Sequence, residues 1–105
     1  MRPKSLAAPK ITEKLFMQRI IQAARALGFL VYHTFNAYRS AKGFPDLTMV
    51  HRKSGRLIFV EVKSEDGKLT PEQTQWINTL ATTGGEVYVV KPSDWDRWFW
   101  ERLKR

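Results

Sequence analysis

Glu61 and Lys63 stand two apart at the end of the run Leu57-Ile58-Phe59-Val60-Glu61-Val62-Lys63, whose apolar, β-branched character reads as a strand. Strand side chains alternate between faces, so this carboxylate and ammonium share one. An earlier strand-like run, Asp46 to His51, follows Gly43-Phe44-Pro45 and is joined to the later one by Arg52-Lys53-Ser54-Gly55, a short hairpin connection. Counted from Ser54, Asp46 lies eight residues back and Glu61 seven forward, which brings them together to within one residue. Two carboxylates and a lysine at a sheet edge suit Mg2+ or Mn2+, which takes oxygen ligands, polarises a phosphoryl oxygen and acidifies a bound water. The lysine can orient that water and offset charge developing at phosphorus. Such a trio fits metal-assisted phosphodiester hydrolysis; equally, it is an ordinary salt bridge of the kind strand pairs show.

These residues need a frame, and the sequence predicts one. From Thr12, a suitable N-cap, Phe16, Met17, Ile20, Ala23, Ala24 and Leu27 recur at helical spacing until Gly28 stops the helix. Phe29 to Phe35 reads as a strand and Asn36 to Gly43 as a polar loop. The runs from Asp46 to His51 and from Arg56 to Ser64 then complete an antiparallel meander. Thr70-Pro71-Glu72-Gln73 opens a second helix with a cap, a first-turn proline and a capping-box glutamine; Trp76, Ile77, Leu80 and Ala81 form its apolar face, and Gly84-Gly85 ends it. Glu86 to Val90 is a fourth strand. A last helix follows Pro92-Ser93-Asp94, with acids in its first turn and Arg102, Lys104 and Arg105 in its last, as the helix dipole favours. Trp95, Trp98, Phe99 and Leu103 share one arc of that helix, and so aromatic a terminal element invites self-association. The expected order is α-β-β-β-α-β-α, with residues 1–10 a flexible basic arm and 11–105 one domain.

The composition narrows the partners. Eighteen Lys and Arg against ten Asp and Glu give 105 residues a formal charge of +8, a field that favours polyanions, nucleic acid first among them. Hydrophobic residues at 43% exclude a disordered basic tail, so the charge sits on a folded surface. The absence of cysteine removes disulfides, thiolate chemistry and Cys-based zinc sites. No apolar stretch is long enough for a membrane span, so the expected location is the cytoplasm.

Gly43-Phe44-Pro45-Asp46-Leu47 followed by Glu61-Val62-Lys63 resembles the Pro-Asp…Glu-x-Lys signature of the PD-(D/E)xK nuclease superfamily. Leu69-Thr70-Pro71-Glu72-Gln73 with Trp76 and Leu80, then Gly84-Gly85-Glu86-Val87-Tyr88-Val89-Val90, is similar to the virus-type replication-repair nuclease (VRR-NUC) family within it, over roughly Glu13 to Lys91. The resemblance implies an α/β, restriction-endonuclease-like core: a four-stranded mixed sheet flanked by helices, with the acids at one end. Asp46 and Glu61 would bind Mg2+ or Mn2+ with the backbone carbonyl of Val62, Lys63 would position the attacking water, and Gln73 and Glu13 would assist. Gln73 shares the inward face of Trp76 and Ile77, although a capping box explains it as well. In helical projection Glu13 falls on the apolar stripe between Phe16 and Met17, although a solvated first-turn acid is the other reading. Asn36, Arg39 and Lys42, in the loop ahead of Asp46, are candidate DNA contacts or ordinary loop residues. Stand-alone members of this kind resemble junction-resolving enzymes, which implies a structure-selective deoxyribonuclease acting on branched DNA as a homodimer. Flap cleavage or nicking at the same site, a non-enzymatic DNA-binding module, and an interaction protein using the aromatic helix are the alternatives.

Overall fold

The computed structural model describes residues 11–35 and 41–105. Asn36, Arg39 and the basic arm over 1–10 lie outside the described residues. The Thr12 hydroxyl accepts the Leu15 N–H at 3.1 Å and so caps α1, Glu13–Ala26. Gly28, with φ at 101°, then turns the chain into β1, Phe29–His33. Next come β2, Leu47–His51, β3, Leu57–Val62, α2, Pro71–Ala81, and β4, Glu86–Val90. The sheet runs β1-β2-β3-β4; the first three strands form the expected antiparallel meander, and β4 returns parallel to β3 after α2. The sheet is therefore mixed, with helices on both sides.

One face of the sheet holds the core. Leu47 and Met49 stand opposite Val60 and Ile58, and these join Phe16, Ile20 and Ala24 of α1 and Val62 and Val90 from the sheet. The opposite face carries Phe59, against which Phe44 packs edge-on with centroids 5.9 Å apart; Phe44 meets Trp76 of α2 at 5.0 Å. That helix has no fully buried residue and leaves part of the face uncovered. Leu30, Val50 and Leu57, direct cross-strand neighbours, form an exposed apolar row with Tyr32 beside it.

Two elements differ from the sequence expectation. Strand β1 stops at His33 rather than Phe35, although the Thr34 N–H still donates to the Asp46 carbonyl at 2.8 Å just past its end. The last helix starts as a π-helical turn, Trp95–Phe99, before becoming α3, Trp100–Lys104. This wider turn accompanies dense aromatic packing: Trp95 stacks on Trp100 at 5.4 Å and meets Phe16 edge-on at 6.5 Å, while Phe99 and Leu103 enter the core. The aromatic arc thus faces inward, and the exposed apolar surface lies on the sheet instead.

Arg56 ties this terminal segment to the start of β3. Its guanidinium grips Glu86 of β4 through two bonds, Nε to Oε2 at 2.6 Å and NH2 to Oε1 at 2.8 Å, and also donates to the carbonyls of Arg102 and Leu103. The Tyr88 hydroxyl donates a third bond to Glu86, and the Arg102 guanidinium stands 5.6 Å over the Tyr88 ring. Arg56, just past the hairpin connection Arg52-Lys53-Ser54-Gly55, is therefore a structural tie. No helix of the described residues is long and apolar enough to cross a membrane.

Candidate active site

At the other end of β3 the register decides which groups meet. Leu47 pairs with Val60, so Asp46, one residue before β2, stands beside Glu61. Asp46 is fixed through its own backbone and through its side chain. Its carbonyl accepts the Thr34 N–H at 2.8 Å, the Thr34 hydroxyl donates to the Pro45 carbonyl at 2.6 Å, and Oδ2 accepts the Val62 N–H at 2.8 Å. In an antiparallel pair a residue presents N–H and C=O to the same neighbour, so the Val62 carbonyl points to the Asp46 side of β3. Its side chain is in the core, which leaves that carbonyl as its one functional group here.

Glu61 is 1% exposed and is the one buried charged residue among those described. Its Oε2 accepts from Gln73 Nε2 at 3.0 Å and lies 3.7 Å from Lys63 Nζ. Its Oε1 is buried with no hydrogen-bond partner. Burial first, and then the negative charge of Asp46, push the carboxyl from 4.5 up to about 8, against the opposing pull of the Lys63 ammonium. A buried carboxylate oxygen without a donor is costly, and a cation or a proton is what would relieve it.

Gln73 does what both sequence readings allow. Its backbone N–H bonds to the Thr70 hydroxyl and its Oε1 accepts the Thr70 N–H at 2.9 Å, a complete capping box, while Nε2 is left free to reach Glu61. Glu13 departs from the inward placement: it is exposed, and its charge is the smallest of the influences on Glu61. Helical projection ignores position along the axis, and Glu13 is the first residue of α1, whose burial in the sheet begins at Phe16. Lys42 is exposed, and its carbonyl accepts the Trp76 indole N–H at 3.1 Å. The structure thus gathers Asp46, Glu61, Val62, Lys63 and Gln73, with Glu13 at the margin. The backbone-clamping roles of Thr34 and Trp76 emerge only here: nothing in a threonine within an expected strand, or in an aromatic on an apolar helix face, marks a backbone clamp.

The donor set suits a hard divalent ion. Two carboxylates, one with an orphaned oxygen, and a carbonyl aimed the same way supply oxygen ligands alone. No group of three or more acidic or histidine side chains occurs among the described residues, so water or a substrate phosphate would complete the shell.

A family model, the VRR-NUC domain, matches residues 6–94. A solved structure described as a VRR_NUC domain is 28% identical with a TM-score of 0.65, the match covering 85% of this chain and 99% of that one. A second, a VRR_NUC domain protein, is 20% identical at a TM-score of 0.57, over 81% of each chain. Hjc from Archaeoglobus fulgidus, a Holliday junction resolvase from an archaeal hyperthermophile, is 22% identical at a TM-score of 0.55, covering 73% of this chain and 64% of its own. No curated protein matches the chain.

Proposed function

We propose that this chain, which belongs to the VRR-NUC family of PD-(D/E)xK nucleases, is a divalent-metal-dependent endonuclease that hydrolyses phosphodiester bonds in branched DNA. The observation that carries the reading is the Glu61 carboxylate, buried beside Asp46 with Oε1 unpartnered and Oε2 held by Gln73 and Lys63. Asp46, Glu61 and the Val62 carbonyl would hold Mg2+ or Mn2+, which when bound supplies phosphoryl polarisation and a more acidic water.

The chain's own residues do the rest. Gln73 fixes Oε2 and so orients Oε1 toward the Asp46 side. The Lys63 ammonium donates to the attacking water and offsets charge at phosphorus. Attack of the water oxygen forms a new P–O bond in line with the bond to the 3′ oxygen, which breaks and takes a proton, leaving a 5′-phosphate and a 3′-hydroxyl. Lys42, together with Arg39 and Asn36 of the same loop, would contact the DNA backbone, and Glu13 would add negative potential at the margin of the site.

Branched DNA is supported by the fold shared with a Holliday junction resolvase and by the +8 charge of so short a chain, which favours recognition by shape and charge. Homodimeric action is supported by the exposed apolar row Leu30, Val50 and Leu57 on the face that also carries Asp46 and Glu61. The test is cleavage of four-way junctions, flaps and plain duplex at equal salt with Mg2+ or Mn2+, by wild type and by Lys63→Ala. Junction cleavage by wild type and uncut but bound junction with Lys63→Ala are expected. Preferred cutting of flaps would replace the junction assignment, and wild type that binds but never cleaves would leave only a DNA-binding module.

A further inference from the structure

The geometry points to Gly43 as a positioning residue for this chemistry: by lacking a side chain it lets the segment ahead of Asp46 close against the first turn of α2, which sets the reach of Gln73 to Glu61. The inference rests on the role given to Gln73 above. A Cβ placed on Gly43 would stand 2.5 Å from the Glu72 carbonyl carbon, 2.7 Å from its oxygen and 2.8 Å from the Gln73 nitrogen. All three are backbone atoms in a helix that cannot swing aside as a side-chain tip would. Gly43 also has φ at 94°, a region that residues with a Cβ adopt at a cost.

Two further contacts hold the segment and helix together. Trp76 Nε1 donates to the Lys42 carbonyl at 3.1 Å, and Phe44 wedges edge-on between Trp76 and Phe59. Beyond them Pro45 is fully buried and Asp46 is pinned to Val62, so the segment has no room to retreat. Any group added at position 43 therefore pushes the start of α2 outward, and the Gln73 nitrogen is itself one of the atoms pushed. The Gln73 side chain has little slack, because Oε1 is tied to Thr70 and the Nε2 contact with Glu61 is already 3.0 Å long. An outward shift of about half an ångström takes that contact past the useful hydrogen-bond range. Asp46 and Gln73, which come from separate parts of the chain, thereby act on Glu61 as parts of one body.

The test combines kinetics with the side-chain amide resonance of Gln73, followed by NMR in the metal-free protein. Gly43→Ala and Gly43→Asn are both expected to shift that resonance and to lower kcat by about 10- to 100-fold, the usual effect of losing a group that orients a ligand, with KM changed less than about twofold. In a Gln73→Ala background neither should cost more than about a further twofold. Asn accepts positive φ, so near-normal Gly43→Asn would mean that conformation alone selects glycine and would overturn the inference. So would a full additional loss in the Gln73→Ala background. Should both variants fail to fold, Trp76→Phe keeps an aromatic ring against Phe44 and removes the donor to Lys42; a smaller shift of the same resonance is expected, and an unmoved resonance counts against the proposal. If Gln73→Ala cleaves like wild type, the catalytic role of Gln73 falls, while the resonance still decides whether Gly43 sets its position.

Discussion

At the start of β3, Arg56 meets Glu86 in a two-bond pair, with Tyr88 and two terminal carbonyls taking up further hydrogen bonds; at its end, Glu61 sits deeper, beside another acid, with one oxygen unpartnered. The two carboxyls titrate in opposite senses. Arg56 holds Glu86 below the usual carboxylate range, whereas burial and Asp46 push Glu61 up to about 8. The satisfied cluster supports the fold. The unsatisfied one bears a burial cost that a cation bound as proposed above would relieve, in line with destabilisation stored at functional sites.

The largest effect that would test this contrast is on cleavage. Asp46→Asn and Glu61→Gln should each reduce metal-dependent cleavage to background in a gel assay while leaving the thermal midpoint unchanged or raised, because the metal-free protein already keeps Glu61 largely neutral at pH 7. Retained cleavage in either would remove the metal assignment. At the other end, Arg56→Ala should leave the site chemistry intact but destabilise by about 2 kcal/mol, since it strands a half-buried carboxylate and two carbonyls. Chemical denaturation measures this, and an unchanged midpoint would show that the cluster is ornamental.

The pH dependence of the metal-free protein follows from the two signs. Glu61, raised in the folded state, contributes stability that is full below about 4.5 and is lost as pH rises toward about 8. Glu86, lowered in the folded state, contributes stability that is full above its usual value near 4.5 and is lost as pH falls further. Stability should therefore decline from mildly acid to mildly alkaline pH, by at most about 1.4 kcal/mol per unit for one group, and Mg2+ should flatten the decline by favouring the ionised Glu61. A metal-free midpoint that rises between pH 5 and 8 would contradict the burial of Glu61 as the controlling influence. The smallest effect belongs to the exposed Lys104–Glu101 pair, 3.0 Å apart; Glu101→Ala should change stability by less than about 0.5 kcal/mol.

Much of the candidate site's geometry was legible because strands obey a period of two and a hairpin obeys simple counting. Asp46 and Glu61 could be paired by counting outward from Ser54, and the turn's true centre shifts the register by only one residue from that count. The capping box announced where α2 starts, and with it which face Gln73 takes. What the sequence could not convey was axial depth: Glu13 lies on the right side of its helix but one turn too early to be covered. Nor does helical periodicity reveal a π-helical turn, which is selected by how Trp95, Phe99 and Trp100 pack rather than by any local preference. The close approach at Gly43 was equally hidden, since it depends on a helix that begins 28 residues later in the chain.

The placement of the tryptophans has an optical consequence. Trp95, Trp98 and Trp100 gather at the terminal helix on one face of the sheet, with Trp95 and Trp100 close and nearly parallel, at 5.4 Å and 29°. Two indoles so arranged couple as chromophores, giving circular dichroism that reports the docking of that helix. Trp76 stands apart on the other face, its indole N–H on the carbonyl of Lys42, so its emission senses the segment that leads to Asp46. The chain thus carries two native spectroscopic probes, and any change at the segment leading to Asp46 when DNA is added can be followed by the one without disturbing the other.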